Sequence, residues 1–205
     1  MSFFQQLTEK PWVTVQGGVV ELHAGRAFSL PVATLGLRVF LVVISVLFSL
    51  LVVAYAERMT LADWRPLPEP WLLWPNTALL ILSSVALQWA WVGARRGRMD
   101  GVRTGLLVGG VSALAFLAGQ LLAWQQLAAL GYYAATNPAN AFFYLLTALH
   151  GLHLLGGLVA LGRTVGKMRR GFGVVQLHSS VELCAVYWHF LLVVWLVLFG
   201  LLLLT

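Results

Sequence analysis

Charge is what this sequence has least of. Only 10% of its 205 residues are Asp, Glu, Lys or Arg, against about 25% in an ordinary soluble domain. From 104 to 162 there is no charged residue at all. A stretch that long has no solvated face, so a soluble domain is excluded and a bilayer is left as the solvent. Acid is scarcer than base: seven Asp and Glu stand against thirteen Lys and Arg, a formal net charge of +6. The cations sit at the ends of apolar runs rather than on one patch, so no nucleic-acid partner is expected. Cysteine occurs once, at Cys184, which excludes an internal disulfide. The first 30 residues lack a continuous apolar core and hold Glu9, Lys10, Glu21, His23 and Arg26, so no cleaved secretion signal is expected. There is no internal repeat. No two spans are interrupted in matched halves, which disfavours a transporter.

Apolar residues make up 60% of the chain, and they fall into five runs. A bilayer-spanning helix needs roughly 20 such residues. The runs predict spans over 36–56, 71–93, 104–127, 141–161 and 183–204. An all-α bundle of five transmembrane helices follows, residues 36–205 forming one membrane domain. Residues 1–35 form a cytoplasmic or interfacial tail. Between the spans lie a charged, proline-rich loop (57–70), a tight basic turn (95–103), an uncharged loop with an Asn-Pro turn signal (131–140) and a second basic loop from 163. Lys10, Arg26, Arg38, Arg95, Arg96, Arg98, Arg103, Arg163, Lys167, Arg169 and Arg170 fall on one side. Arg58 and Arg65 are alone on the other. The positive side belongs in the cytoplasm, which puts the N-terminus inside and the C-terminus in the periplasm.

Few polar groups enter the spans, and an ionisable residue there is a functional candidate by default. His150 and His153, three apart on one helix face, lie about 18 and about 13 Å from the inner end of the fourth span by helical rise. Three readings remain open for them. Metal or haem ligation would pair His153 with His189 on the fifth span, across a depth mismatch of roughly 4–5 Å. A proton relay would want carboxylates close by. A structural role would have neutral imidazoles bonded to neighbouring helices. A di-metal desaturase or intramembrane protease needs more His, Asp or Glu than these spans offer. Glu182, at the inner edge of the fifth span, is expected to pair with Arg163 or Arg169. Asn76 and Thr77, after Pro75, could satisfy free amides at a helix start. Ser83 and Ser84 could bond back to their own helix. Trp71 and Trp74 read as an interfacial belt, and Trp188, His189 and Trp195 as packing. Gly105 and Gly109, with Gly110, Ser112 and Ala113, form one small-residue seam, and Gly151, Gly156, Gly157 and Ala160 another.

These residues carry a resemblance. "HGLH" at 150–153, with Thr147 before it and Gly157 after, resembles subunit III of haem–copper oxidases. So does "ELCAVYWHFLLVVW" at 182–195, with Glu182, Tyr187, Trp188, His189, Phe190, Val194 and Trp195 in register. "PNTALLILSS" at 75–84, Gln120 and Trp124 are similar to further conserved stretches. The likeness covers about 36–204 and fits a short, five-helix form of that subunit. It implies an accessory protein of an oxidoreductase complex, without haem, copper or a catalytic site of its own, in a bacterial inner membrane. Haem and copper are then expected in partner subunits. It also implies packing against oxidase subunits I and II, phospholipid binding, and a longer working life for the catalytic subunit. Under it, His150, His153, Glu182, Trp188, His189, Asn76, Thr77 and Gln120 are structural, lipid-contact or subunit-contact residues. Family carboxylates are replaced here by Val46, Ala123 and Leu192, which takes titratable groups from any proton path. A quinol oxidase or nitric oxide reductase could use such a subunit too. From another class, a b-type haem electron carrier using His153 and His189 is the competing reading.

Overall fold

The computed structural model describes residues 32–66 and 70–204. The predicted tail lies outside them, apart from 32–35, which are already helical. The described chain is five helices: α1 (Val32–Met59), α2 (Leu73–Arg95), α3 (Met99–Ala129), α4 (Pro138–Arg169) and α5 (Val174–Leu203). Each is long and apolar enough to cross a membrane. No strand occurs among the described residues.

The helices overrun the predicted spans. α3 begins at Met99 rather than 104, α4 runs through Arg169 rather than stopping at 161, and α5 begins at Val174 rather than 183. Hydropathy marks where a helix meets the headgroups; backbone chemistry marks where it ends. Here α2, α3 and α4 end at Gly97, Gly131 and Gly171, with φ of 70°, 85° and 83°. A left-handed residue at that position lets the next amides turn back onto the last free carbonyls. Arg98 N–H accordingly bonds Gly93 O at 2.9 Å, and Tyr132 N–H bonds Leu127 O at 3.0 Å. α4 starts as its sequence suggests: Pro138 opens the helix and Asn137 Oδ1 accepts from Ala139 N–H at 3.3 Å.

α2 and α3 form the tightest pair, and small residues are the cause. A Cβ at Gly105 would lie 2.5 Å from the Ala86 carbonyl oxygen and 2.7 Å from Ala90 N. At Gly109 it would meet Leu87 at 2.9 Å. In lipid, where no hydrophobic effect drives helices together, this close approach supplies the attraction. On the seam expected on α4, a Cβ at Gly151 would meet Leu117 at an ordinary 3.6 Å, and the tight approach is at Gly157. Gly157 seats Trp188 and Tyr187, while Gly156 has nothing within 4 Å and Ala160 is exposed.

α5 is the axis of the bundle, packing on α2, α4 and α1. Trp188, Leu191, Trp195 and Leu198 on it are wholly buried. α1 lies outermost, with only Ile44, Phe48 and Tyr55 buried. At the end of the bundle that holds the α1–α2 and α3–α4 loops, Arg58 pairs with Asp63, Nη1 to Oδ1 at 2.9 Å. The guanidinium holds the Asp63 carboxyl below its ordinary value. Trp71 and Trp74 are exposed, as an interfacial belt requires.

Candidate functional site

The polar residues of the spans gather on α2, α3, α4 and α5, and most bond between helices. Asn76 Nδ2 donates to Gln120 Oε1 of α3 at 2.9 Å, both residues buried. Gly119 makes room for that contact, since any Cβ there would fall on the Asn76 amide. Trp195 Nε1 donates to Thr77 Oγ1 at 2.9 Å, and Thr77 passes its own proton to Leu73 O at 2.8 Å. Trp188 Nε1 donates to Ser83 Oγ at 2.7 Å, and Ser83 donates to Gly109 O of α3 at 2.7 Å. Trp124 Nε1 donates to Thr147 Oγ1 at 3.1 Å, joining α3 to α4.

These bonds correct the local roles expected for Asn76, Thr77, Ser83 and Ser84. α2 starts at Leu73, upstream of Pro75, so Asn76 lies inside the first turn and its own N–H already bonds Leu72 O at 3.2 Å. Its side chain is free to cross to α3. Ser83 and Ser84 bond to α3 and α5 rather than to their own helix. Each hydroxyl supplies a partner to a ring on α5, Ser83 to the Trp188 indole and Ser84 to the His189 imidazole, which lipid could not provide.

The histidines also depart from expectation. His150 is wholly buried, yet neither ring nitrogen has a hydrogen-bond partner among the described residues. It lies among aromatic rings: Trp195 at 5.2 Å between centroids, Phe116 at 5.9 Å and Phe48 at 6.5 Å. His153 Nδ1 contacts Leu149 O of its own helix at 2.7 Å, and its ring faces Phe48 and Phe40 of α1. Neither bonds to a neighbouring helix through its ring. His189 alone does so, with Nδ1 2.5 Å from Ser84 Oγ and Nε2 2.9 Å from Gln88 Oε1. His153 thus turns to α1 and His189 to α2, which does not aim the two at one axial-ligand site. Among the described residues no three His, Cys, Asp or Glu lie close enough to share a metal ion.

Glu182 does not take Arg163 or Arg169. Its carboxylate lies 3.8 Å from His178 Nδ1, one turn back on α5. α5 begins at Val174, so Glu182 stands in its third turn rather than at a helix start. Val46 is exposed on α1, Ala123 is fully buried, and Leu192 is half-buried against the core. At none of the three is there a group that could carry a proton.

A cavity of about 610 Å³ lies between α1, α4 and α5. Leu37, Phe40, Leu152, Gly156 and Leu183 give it apolar walls, and Arg163 and Lys167 stand at one end. Lys167 Nζ donates to Ser180 Oγ at 3.2 Å. The groove therefore suits a molecule with a long apolar body and an anionic head. Sequence reasoning missed this groove and also Gln88. Gln88 had a signal, since it stands four residues after Ser84 and so on the same helix face.

The profile of the cytochrome c oxidase subunit III family matches residues 32–204. The chain is 34% identical over 173 residues to cytochrome c oxidase subunit 3 of Thermostichus vulcanus, covering 82% of this chain and 85% of that one. It is 34% identical over 170 residues to the cytochrome c oxidase subunit 3 of a Synechocystis species, covering 80% and 72%. A probable cytochrome c oxidase subunit 3 of Nocardia farcinica is 29% identical over 157 residues, covering 75% and 76%.

Proposed function

The chain belongs to the cytochrome c oxidase subunit III family, and from that premise we propose that it works as a lipid-holding scaffold on the catalytic subunit, with no redox step of its own. It is an accessory, multi-pass membrane subunit of a bacterial haem–copper oxidase and associates with the other subunits of that complex. Its nearest neighbours are then subunits I and II, with the haem and copper held outside this chain. The electron donor is cytochrome c, as the relatives' names suggest, rather than a quinol.

One observation carries the lipid reading: the apolar groove of α1, α4 and α5 with Arg163 and Lys167 at its end. Acyl chains would lie along Leu152 and Leu183 while a phosphate meets the two cations. Cations at the headgroup level attract anionic lipid. The same end of the bundle gathers Arg95, Arg96, Arg98, Arg103, Arg169 and Arg170, which supports a cytoplasmic orientation for it. At the other end the only cations among the described residues are Arg58, paired with Asp63, and Arg65.

The test is lipid retained by the purified oxidase. An Arg163→Gln/Lys167→Gln variant should lose anionic phospholipid, measured by mass spectrometry of the native complex, and should inactivate sooner during turnover. An unchanged lipid complement would overturn the groove's role.

A further inference from the structure

We propose that the outward face shared by α2 and α5, centred on His189 and Gln88, is the surface that docks onto a transmembrane helix of the oxidase's catalytic subunit. This rests on the subunit reading above and adds the face and the chemistry of its partner.

Depth is the first ground. Ser84 is the middle residue of α2, eleven from each end, and His189 stands at the middle of α5. His189 touches Ser84 and lies about 10 Å along α5 from Glu182 at the span's inner edge, so both lie within the hydrocarbon core, where acyl chains offer no hydrogen bond. Yet His189 is exposed on this chain and Gln88 is half-exposed. Polar side chains at that depth face a protein interior rather than lipid.

Valence is the second. A neutral imidazole has one donor and one acceptor. With Gln88 Oε1 taken by His189 Nε2 and Ser84 Oγ by Nδ1, both are spent. The Gln88 amide nitrogen keeps its two hydrogens without a partner among the described residues. A partner helix that fits must present an acceptor at that depth: a carbonyl, a hydroxyl or a side-chain amide.

The rest of the face agrees. Glu182, Val186, His189, Val193 and Leu196 recur every three or four residues along α5, and all are exposed. Among the described residues Glu182 makes an ion-pair contact with His178 alone, although Arg and Lys gather at that end of the bundle. It lies about 10 Å along the helix from His189 and is free to meet a cation of the partner. Other outward faces differ. Val111, Leu114 and Leu121 of α3 and Val39, Val43 and Leu50 of α1 are exposed and aliphatic. On α1's outward side Ser45 is satisfied by Leu41 O at 2.8 Å, and no amide or imidazole stands there. Those faces suit lipid.

The experiment uses the assembled oxidase. A photoreactive benzophenone residue is placed at Val186 or Val193, and at Val111 or Leu114 for comparison. Cross-links to the catalytic subunit are expected from the first pair and not from the second. In parallel, Gln88→Leu and His189→Leu should lower the amount of this chain retained on the complex by about three- to eighteen-fold, from the mean to the maximum measured for interhelical hydrogen bonds in membranes. Gln88 is half-exposed, so Gln88→Leu empties no buried site, and unchanged accumulation of the chain in membranes separates lost docking from misfolding. Co-purification with adducts only from α3, or full retention of both leucine variants, overturns this face while leaving the subunit reading standing. Absence of the chain from the purified oxidase overturns both.

Discussion

Trp195 and Thr77, 118 residues apart in sequence, meet through an indole N–H donated to the threonine hydroxyl at 2.9 Å. The contact joins α5 to α2 inside the bundle, and the Trp195 ring packs edge-on to Phe116 at 4.9 Å between centroids. Thr77→Val keeps the volume and removes the acceptor. It should cost about 0.6 kcal/mol and at most about 1.7 kcal/mol, the range for such bonds in membranes. Trp195→Ala empties a wholly buried site and should cost about 3–5 kcal/mol. Thermal unfolding of the detergent-solubilised complex separates the two. Equal melting of both variants would mean that Trp195 does not anchor α5.

Gly105 and Gly156 should respond oppositely to alanine. At Gly105 the new methyl would meet backbone atoms of α2, which cannot turn aside. Forced overpacking of this kind costs about 1–3 kcal/mol, so Gly105→Ala should lower the accumulated subunit sharply. Gly156 meets nothing within 4 Å, and Gly156→Ala should accumulate as the native chain does. Quantitative immunoblots of membranes read the difference. Tolerance of Gly105→Ala would mean that the α2–α3 pair is looser than described.

The five spans were legible in the sequence because lipid imposes one demand, a long apolar run, and the runs are clean. The helix ends were not. Residues 163–169 and 174–182 are polar enough to read as loop, yet they continue α4 and begin α5, since backbone hydrogen bonding persists past the bilayer edge. The polar residues were legible as a set but not as pairs. Which hydroxyl meets which indole depends on how each helix is rotated. Ser83 and Trp188 are separated by 105 residues, and no local spacing encodes that register. The two histidine motifs marked the right helices. They gave no sign that His150 would be enclosed by rings while His189 reached an exposed glutamine.

His150 gives the third prediction. Its ring nitrogens make no hydrogen bond to the described residues. Replacing an unsatisfied buried polar group by an apolar one of similar shape is nearly neutral or stabilising. His150→Leu should therefore assemble at least as well as the native chain and leave the oxidase absorption spectrum unchanged. Loss of the subunit, or of a haem band, would show that the imidazole has a partner supplied by the assembled complex.

Orientation is tested by thiol labelling in intact cells. On a Cys184→Ser background, a cysteine at Arg98 should be shielded from an impermeant reagent and one at Ala135 should react. Both native residues are exposed at opposite ends of the bundle. The reverse pattern would invert the proposed topology.

On the proposed scaffold role, this chain holds lipid and steadies a neighbour without handling electrons or protons. The most direct measurement is oxygen consumption by the oxidase with and without this subunit, followed from the first turnover until activity decays. The initial rate should stay nearly the same, because Val46, Ala123 and Leu192 offer no titratable group to a proton path. The number of turnovers before inactivation should fall, as lipid and neighbouring helices loosen. A several-fold drop in the initial rate with no change in the decay would contradict the scaffold account.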